Sequence, residues 1–341
     1  MDNPKEYYHS LPKVELHRHL EGSLRLKTMQ EIARSGNLTV PAATGPLSSL
    51  VQVQESEPYT FQNFLAKFST LRMFYRSPEI IHRITREAVE DAAKDNVRYM
   101  ELRFTPVALS RAEGFPLGDV MDWVCQSAQK AAREFGLTVG LIVSVNRHES
   151  VELAEQVAWL AAARLKKGIV GMDLAGNEAE FSAKPFADIL REAQQSGLKL
   201  TIHAGEWGPP ANVREALQVL NADRIGHGVR VVEDSQVVAL ARERGAAFEV
   251  CVTSNHQTGV IPPGAQHPVM KMINLGLNVA LGTDDPSISQ ITLTDEYSRV
   301  CEELDMTQSR LKERILAAAK ASFLPDAERQ RLVDQLKLEL I

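Results

Sequence analysis

Eight short apolar runs, separated mostly by longer stretches with helical periodicity, are the feature that most limits how this chain can fold. The predicted strands cover residues 14–20, 98–105, 139–145, 170–174, 199–203, 224–228, 247–253 and 278–282. The clearest predicted helices cover residues 79–94, 117–135, 151–167, 185–196 and 213–220. Strands that alternate with helices are typical of a parallel sheet, and eight such units favour a closed barrel. The sequence therefore predicts an α/β fold of the (β/α)8 TIM-barrel class.

The chain has 341 residues, more than the roughly 250 of a typical barrel of this class. We predict one domain over residues 1–341, with an insertion at 26–80 after the first strand. This insertion contains a Pro-, Ser- and Gly-rich segment at 41–58 and an amphipathic segment at 61–74. Since an insertion at the carboxyl end of a strand lies over the mouth of a barrel, we predict a helical lid. The alternative is a pair of surface helices without function.

Composition narrows the class of ligand. The net charge is −6 and no basic run occurs, so neither nucleic acid nor an anionic membrane is expected as a partner. A small, roughly neutral molecule fits better. Cys125, Cys251 and Cys301 lie far apart, which indicates buried small side chains and no disulfide framework. Because no secretory signal and no run of eighteen apolar residues is visible, we expect a cytoplasmic protein of undetermined oligomeric state.

His17 and His19 are two residues apart in a predicted strand, so both imidazoles lie on one face and could share a cation. Such a pair alone is more often structural. Three later segments carry further metal-ligand types at the carboxyl ends of predicted strands, where barrel enzymes gather their chemistry. These segments are 200–206, 224–228 and 279–286.

Three imidazoles and one carboxylate are a ligand set that suits zinc, with a further position left for water. We therefore predict one Zn²⁺ per chain, held by His17, His19, His203 and Asp284. Glu206 and His227 remain for proton transfer. The alternatives are a supporting carboxylate for Glu206 and a structural imidazole for His227.

Seven motifs in one order give the chain a resemblance to a known family. They are Leu16-His-Arg-His-Leu-Glu-Gly-Ser23, Phe64-Leu-Ala-Lys-Phe68, Met172-Asp-Leu-Ala-Gly-Asn-Glu178, His203-Ala-Gly-Glu206, Gly226-His-Gly228, Thr253-Ser-Asn-His-Gln-Thr-Gly259 and Thr283-Asp-Asp-Pro286. Over nearly its whole length the sequence resembles the adenosine deaminases of the amidohydrolase superfamily. The resemblance implies hydrolytic deamination of a 6-aminopurine nucleoside, with zinc hydroxide attacking C6.

The resemblance also implies roles for single residues. Glu206 would protonate the ring nitrogen beside the attacked carbon, and His227 with Asp284 would orient and deprotonate the water. The backbone of Gly176 and a protonated Asp285 would hold the other purine nitrogens. The metal ligand His19 would also face the substrate.

At one position that bears on the substrate, the sequence departs from the family pattern. Typical members of the family carry Asp after His-x-His-Leu, whereas this chain has Glu21, as do relatives that prefer adenine or modified aminopurine nucleosides. The segments 257–259 and 291–296 resemble the nucleoside enzymes, so adenosine or deoxyadenosine is favoured. Adenine and a 5′-modified adenosine such as aminodeoxyfutalosine remain alternatives.

Other classes of protein fit the sequence less well. A two-metal amidohydrolase usually has a bridging Lys or Glu at the end of strand four, where this chain reads Asp173-Leu-Ala-Gly176. The His-x-Glu and Pro-Cys-x-x-Cys signature of cytidine-type deaminases is missing. A catalytically inactive, zinc-retaining binding module would have lost a ligand or a proton-transfer residue, but all are present.

Overall fold

Eight parallel strands form one sheet in chain order, from β1 to β8, in a computed structural model that describes residues 4–36 and 46–341. The strands are β1 Lys13–His19, β2 Val97–Phe104, β3 Thr138–Asn146, β4 Ile169–Ala175, β5 Lys199–His203, β6 Arg224–Gly226, β7 Ala247–Val250 and β8 Asn278–Leu281. Each predicted strand is present. The prediction of a (β/α)8 barrel is confirmed.

The sheet is closed by contacts between β1 and the segment that follows β8. Arg18 and Asp284 form a parallel bridge. The backbone N–H of His19 donates to the carbonyl oxygen of Asp284 at 2.8 Å, and the N–H of Asp284 donates to the carbonyl oxygen of His17, also at 2.8 Å. Backbone hydrogen bonds therefore hold two predicted metal-ligating segments together.

Helices cover the outside of the barrel and both ends of the chain. Within the described residues they are α1 Pro4–Ser10, α2 Leu26–Ser35, α3 Leu47–Val51, α4 Phe61–Leu71, α5 Pro78–Lys94, α6 Pro106–Ser110, α7 Leu117–Phe135, α8 Val151–Ala162, α9 Ala187–Gln195, α10 Pro210–Gln218, α11 Ser235–Arg244, α12 Val252–Gln257, α13 Val269–Asn274, α14 Pro286–Ser289, α15 Leu293–Glu302, α16 Gln308–Ala321 and α17 Asp326–Glu339. Short 3₁₀ helices cover Glu21–Ser23, Arg72–Phe74, Leu165–Lys167, Lys184–Phe186 and Val229–Glu233. None of the helices among these residues is long and apolar enough to cross a membrane.

Local sequence explains where several helices begin and end. Asp234 caps α11 by accepting the N–H groups of Gln236 and Val237, and Gly245 ends it in the left-handed conformation, at φ 62°. Several predicted boundaries are wrong. The predicted strand 224–228 ends at Gly226, and the predicted helices 151–167 and 213–220 cover Val151–Ala162 and Pro210–Gln218. The predicted strand 247–253 ends at Val250 because α12 begins two residues later, where the Glu296 carboxylate accepts the N–H groups of Val252 and Thr253.

The barrel interior below its carboxyl end contains charged side chains in place of the usual branched apolar ones. Arg103 lies 2.7 Å from Glu249 and 3.4 Å from Asp173, and all three are fully buried. Arg224 pairs with Glu249 at 2.6 Å and also with Glu101. Buried charges are retained when each is paired and hydrogen-bonded, and this network meets that condition.

The insertion between β1 and β2 contains α2, α3 and α4 and extends to the start of α5 at Pro78. The predicted amphipathic segment is confirmed as a helix, since α4 and the following 3₁₀ turn cover 61–74. Part of the Pro-, Ser- and Gly-rich segment, residues 41–45, lies outside the described residues. Whether the insertion closes as a lid stays a prediction.

Candidate active site

Every predicted site residue lies at the carboxyl end of the barrel. Eight of them line one cavity: His19, Glu21, Gly176, His203, Glu206, His227, Asp284 and Asp285. The ninth, His17, is fully buried below it, on β1. Phe64, Leu65 and Phe68 of α4 form an apolar wall of the same cavity. The fold thus brings together residues that are up to 268 positions apart.

Four side chains converge on one point. Oδ1 of Asp284 lies 3.4 Å from Nε2 of His17 and 3.3 Å from Nε2 of His19. The rings of His17 and His203 are 4.8 Å apart between centroids. The ligand atoms of His17, His19 and Asp284 lie within 4.8 Å of one another, and the same holds for His17, His203 and His227. The described residues therefore form a cluster that could hold a metal ion.

One buried atom in the cluster argues directly for a cation. Nε2 of His17 is buried and has no hydrogen-bond partner among the residues that the structure describes. A buried polar atom without a partner is costly, and a bound metal would satisfy it. Three imidazoles with a carboxylate are also the donor set expected of a zinc site that keeps an open position. These three histidines and Asp284 therefore fit a zinc ion.

Buried carboxylates fix the orientation of two of the histidines. Nδ1 of His17 donates to Oε2 of Glu249 at 2.7 Å, and Nδ1 of His203 donates to Oδ1 of Asp173 at 2.8 Å. Burial raises the pKa of Glu249, but Arg103 and Arg224 outweigh it and hold that pKa well below its usual range. His203 and Arg103 likewise outweigh the effect of burial and hold the pKa of Asp173 below its usual range. Each carboxylate is therefore charged and directs Nε2 of its histidine into the cluster, as in many metal sites.

Asp284 is held in one orientation by its side chain and by its backbone. Ser254 Oγ donates to its Oδ2 at 2.7 Å, which leaves Oδ1 for the cluster. The close imidazoles of His17 and His19 outweigh the effect of burial and lower the pKa of Asp284 well below its usual range. The residue has φ of 61°, a conformation that residues other than glycine rarely adopt and that is found at functional sites.

Glu206 follows β5 in a loop whose backbone N–H groups donate to the carboxylate of Glu178. Glu178 accepts the N–H groups of Gly205 at 2.9 Å, Glu206 at 2.6 Å and Trp207 at 2.8 Å. Burial, followed by the charges of Asp284 and Glu178, raises the pKa of the Glu206 carboxyl well above its usual range. This environment favours the protonated form of Glu206, which can donate a proton.

His227 directly follows β6, with φ of 57°, and lies between two carboxyl groups. Its Nε2 is 3.6 Å from Oε2 of Glu206 and 3.8 Å from Oδ2 of Asp284. Its Nδ1 is 3.2 Å from Nδ2 of Asn255. Burial lowers the pKa of the ring well below its usual range, against the opposing effect of Asp284. Burial therefore favours the neutral imidazole.

Asp285 and Glu21 supply two buried carboxyl groups on the other side of the cavity. Burial, and then the charge of Asp284, raises the pKa of Asp285 well above its usual range. Burial also raises the pKa of Glu21. Oε1 of Glu21 accepts the N–H of Thr105 at 2.7 Å. Within the described ranges, Oε2 of Glu21 and Oδ1 of Asp285 are buried without a hydrogen-bond partner.

Sequence reasoning gave no role to five residues that position the site: Asp173, Glu178, Glu249, Ser254 and Asn255. Four of them lie inside the motifs quoted above, which was the available signal. The sequence signal for Glu249 is weaker: it is an acidic residue inside the apolar run of β7. His256, which follows β7, is half-buried in α12 and is not among the residues that line the cavity.

Comparison with known proteins agrees with this geometry. A sequence model of the family described as adenosine deaminase matches residues 12–338. The chain belongs to the adenosine deaminase family. An adenosine deaminase of Clostridium perfringens (strain SM101 / Type A) is 33% identical over 332 residues, which is 97% of this chain and 98% of the relative. As a member of this family, the protein is a hydrolase that acts on C–N bonds of cyclic amidines.

Several solved structures are similar to this chain over nearly its whole length. A Burkholderia ambifaria amidohydrolase with bound zinc has a TM-score of 0.87 at 27% identity and covers 98% of this chain and 94% of its own. Adenine deaminase of Arthrobacter aurescens has a TM-score of 0.87 at 26% identity and covers 96% and 98%. The family relationship supports deamination of a purine.

Proposed function

We propose that the protein is a zinc-dependent deaminase that converts adenosine and 2′-deoxyadenosine to inosine and deoxyinosine with release of ammonia. The observation that carries the proposal is the convergence at one cavity of a metal-ligand cluster with the Glu206 carboxyl and the His227 imidazole, whose nearest atoms are 3.6 Å apart. A hydrolase that attacks a purine needs a nucleophilic oxygen on one side of the carbon and a proton beside it on the other.

In the proposed site one Zn²⁺ is held by His17, His19, His203 and Asp284. Zinc is favoured because imidazole and carboxylate suit it, and a similar structure from Burkholderia ambifaria contains it. When bound, such an ion lowers the pKa of a water molecule to about 7 and so supplies a nucleophile at neutral pH. Residues of the chain would bind the purine and transfer the protons.

Glu206 and Asp285 would handle the purine ring. Attack at C6 breaks the aromatic system and places charge on the adjacent ring nitrogen, which the Glu206 carboxyl would meet with its proton. Since the Asp285 carboxyl is held neutral by burial and by Asp284, its unpartnered Oδ1 could donate to a second purine nitrogen. Gly176 lines the same cavity and would offer its backbone to the base.

Glu21 would recognise the sugar. One of its oxygens is used by the N–H of Thr105, and the other is buried and unpartnered among the described residues, so it could accept a sugar hydroxyl. The phenylalanines of α4 would cover the ligand from above, and we propose that residues 26–80 close over it as a lid that excludes water.

A second candidate substrate is free adenine. It is favoured by Glu21, which stands where nucleoside enzymes carry Asp, and by the similarity to an adenine deaminase from Arthrobacter aurescens. A 5′-modified adenosine is the third candidate substrate. The three share the same ring chemistry and differ only in what Glu21 and the lid contact.

The decisive experiment is a panel of adenine, adenosine, 2′-deoxyadenosine, adenosine 5′-monophosphate and 5′-substituted adenosines, with ammonia release and ultraviolet absorbance as readouts. We expect adenosine and deoxyadenosine to react fastest, with loss of activity on chelation and recovery when Zn²⁺ is restored. Turnover of adenine alone would select the second candidate. A folded, zinc-loaded protein that releases ammonia from none of them would identify an inactive binding module.

A further inference from the structure

A backbone N–H group outside the cavity determines which hydrogens are carried by the side chains inside it. The N–H of Val269 donates to Nδ1 of His267 at 3.1 Å. An amide N–H can only donate, so Nδ1 of His267 carries no hydrogen and Nε2 must carry one. His267 is buried, at 2% exposure, and burial followed by the nearby His256 lowers its pKa to about 3. The ring is therefore neutral.

The next residue in the chain of contacts is Asn255, which is fully buried. Nε2 of His267 lies 3.2 Å from Oδ1 of Asn255, so the amide oxygen accepts this hydrogen. The amide Nδ2 consequently points the other way, 3.2 Å from Nδ1 of His227 and 3.5 Å from Oε1 of Glu206. In the opposite amide orientation, the NH₂ group of Asn255 would face the Nε2–H of His267, and both groups are donors.

We propose that Val269, His267 and Asn255 form a hydrogen-bond relay that fixes His227 as the tautomer with its hydrogen on Nε2. The amide of Asn255 donates to Nδ1 of His227, so this nitrogen is an acceptor, and a neutral ring then has its hydrogen on Nε2. That nitrogen is the one that faces Glu206 and Asp284 across the cavity. Asn255 and His267 are positioning residues.

The relay rests on the proposed function and divides between His227 and Asp284 the role that the family resemblance gives to both. With a hydrogen on Nε2 and a donor on Nδ1, His227 has no lone pair available for a proton from the attacking water. It orients the water by donating to its oxygen. The proton removed from the water passes to the Asp284 carboxylate, the partner that the family resemblance assigns to the same step. Glu206 keeps its role as the acid.

The direct test is a two-bond ¹H–¹⁵N correlation spectrum of zinc-loaded protein labelled with ¹⁵N-histidine, which distinguishes the two neutral tautomers and the imidazolium. The His227 and His267 signals are assigned from single replacements of each residue. We expect both rings as neutral Nε2–H tautomers. A His227 ring protonated at Nδ1, alone or in the imidazolium, would overturn the relay, and the wild-type spectrum decides this whether or not any variant folds.

Asn255→Asp reverses the hydrogen bond to His227, because a carboxylate at this position accepts a hydrogen from Nδ1. We expect the His227 signal to change to the Nδ1–H form and kcat to fall by about 10²-fold or more, with bound zinc and KM little changed. His256→Gln is the matched control. The centroid of its ring lies 5.8 Å from that of His267, and it does not line the cavity, so we expect its loss to change neither the tautomer nor kcat.

The outcomes separate the relay from the proposed function. If the spectrum shows the Nε2–H tautomer but no purine is deaminated, the relay stands and the proposed function fails. If purines are deaminated but Asn255→Asp keeps full kcat and an unchanged His227 signal, the relay is wrong and the proposed function stands.

Discussion

His17 and Glu249 are joined by a hydrogen bond of 2.7 Å between Nδ1 and Oε2, although they are 232 positions apart in the chain. Both side chains are fully buried. The same carboxylate accepts hydrogen bonds from Arg103 at 2.7 Å, Arg224 at 2.6 Å and Thr201 at 2.9 Å. The charged interior of the barrel is thus connected to the metal-ligand cluster through one carboxylate, which sets the orientation of His17.

Glu249→Gln is expected to weaken zinc binding by about 10- to 100-fold, because the amide cannot supply the charge that holds the His17 ring with Nε2 in the cluster. Competition with a coloured chelator measures the affinity. Glu101→Gln is the matched control, since Glu101 is equally buried and also pairs with Arg224 but contacts no site histidine among the described residues. Equal zinc affinities in the two variants would contradict the prediction.

The positions of the candidate ligands follow from local sequence, and this is why they could be predicted. His17 and His19 share a face because side chains alternate along a strand. His203 and Asp284 follow apolar runs, and a parallel barrel brings the ends of all such runs to one rim. Gly136, Gly168 and Gly276, which stand between a helix and a strand, have positive φ, as expected of helix ends.

The support of these residues could not be predicted, since it depends on pairs that are distant in sequence. His203 with Asp173 and Asn255 with His227 meet only after the barrel has closed. No periodicity specifies which buried carboxylate or amide faces which imidazole. The start of α12 was missed for the same reason, because its capping group, Glu296, comes more than forty residues later.

Glu206→Gln is expected to lower kcat for adenosine by about 10²- to 10⁴-fold while bound zinc stays unchanged. Glutamine keeps the shape of the side chain but cannot give up a proton to the ring nitrogen. Steady-state kinetics and metal analysis on the same preparation measure both quantities. Glu180→Gln, at an exposed carboxylate in the loop after β4, is the control. Activity retained in Glu206→Gln would remove the residue from the acid role.

Glu21→Gln tests the sugar contact. If the unpartnered Oε2 accepts a sugar hydroxyl, the substitution weakens kcat/KM for adenosine by about 10- to 100-fold, the cost of one to three kcal/mol expected for a buried polar contact. Adenine has no sugar, so its slower turnover should change much less. Equal losses for adenosine and adenine would show that Glu21 acts on the site as a whole and not on the sugar.

Gly22 allows Asp285 to approach the 3₁₀ turn after β1. A Cβ atom on residue 22 would lie 1.8 Å from Oδ1 of Asp285, so Gly22→Ala must displace that carboxyl. We expect kcat/KM to fall as far as it does in Asp285→Ala, and the double variant to be no worse than Asp285→Ala alone, because both changes remove one contact. Additive losses, measured in a double-mutant cycle, would mean that Gly22 acts elsewhere.

Glu296 holds the start of α12 and makes stability depend on pH. Its carboxyl is fully buried, and this burial raises its pKa to about 7 despite hydrogen bonds from the N–H groups of Val252 at 2.8 Å and Thr253 at 3.0 Å. In the unfolded chain the group loses its proton near pH 4.5. Between about pH 4.5 and 7 the folded protein therefore binds more protons than the unfolded one, and stability falls as pH rises.

Glu296→Gln should abolish that slope, since the amide is neutral at every pH and can still accept at the helix start. The free energy of unfolding of the wild type minus that of the variant should decrease as pH rises, by at most about 1.4 kcal/mol per pH unit. Urea unfolding of both proteins, zinc-loaded, at pH 5, 6, 7 and 8 measures it. The metal ligands titrate alike in both proteins and cancel in the difference. A difference that is constant, or that grows with pH, would mean that Glu296 is already charged in the fold at pH 5.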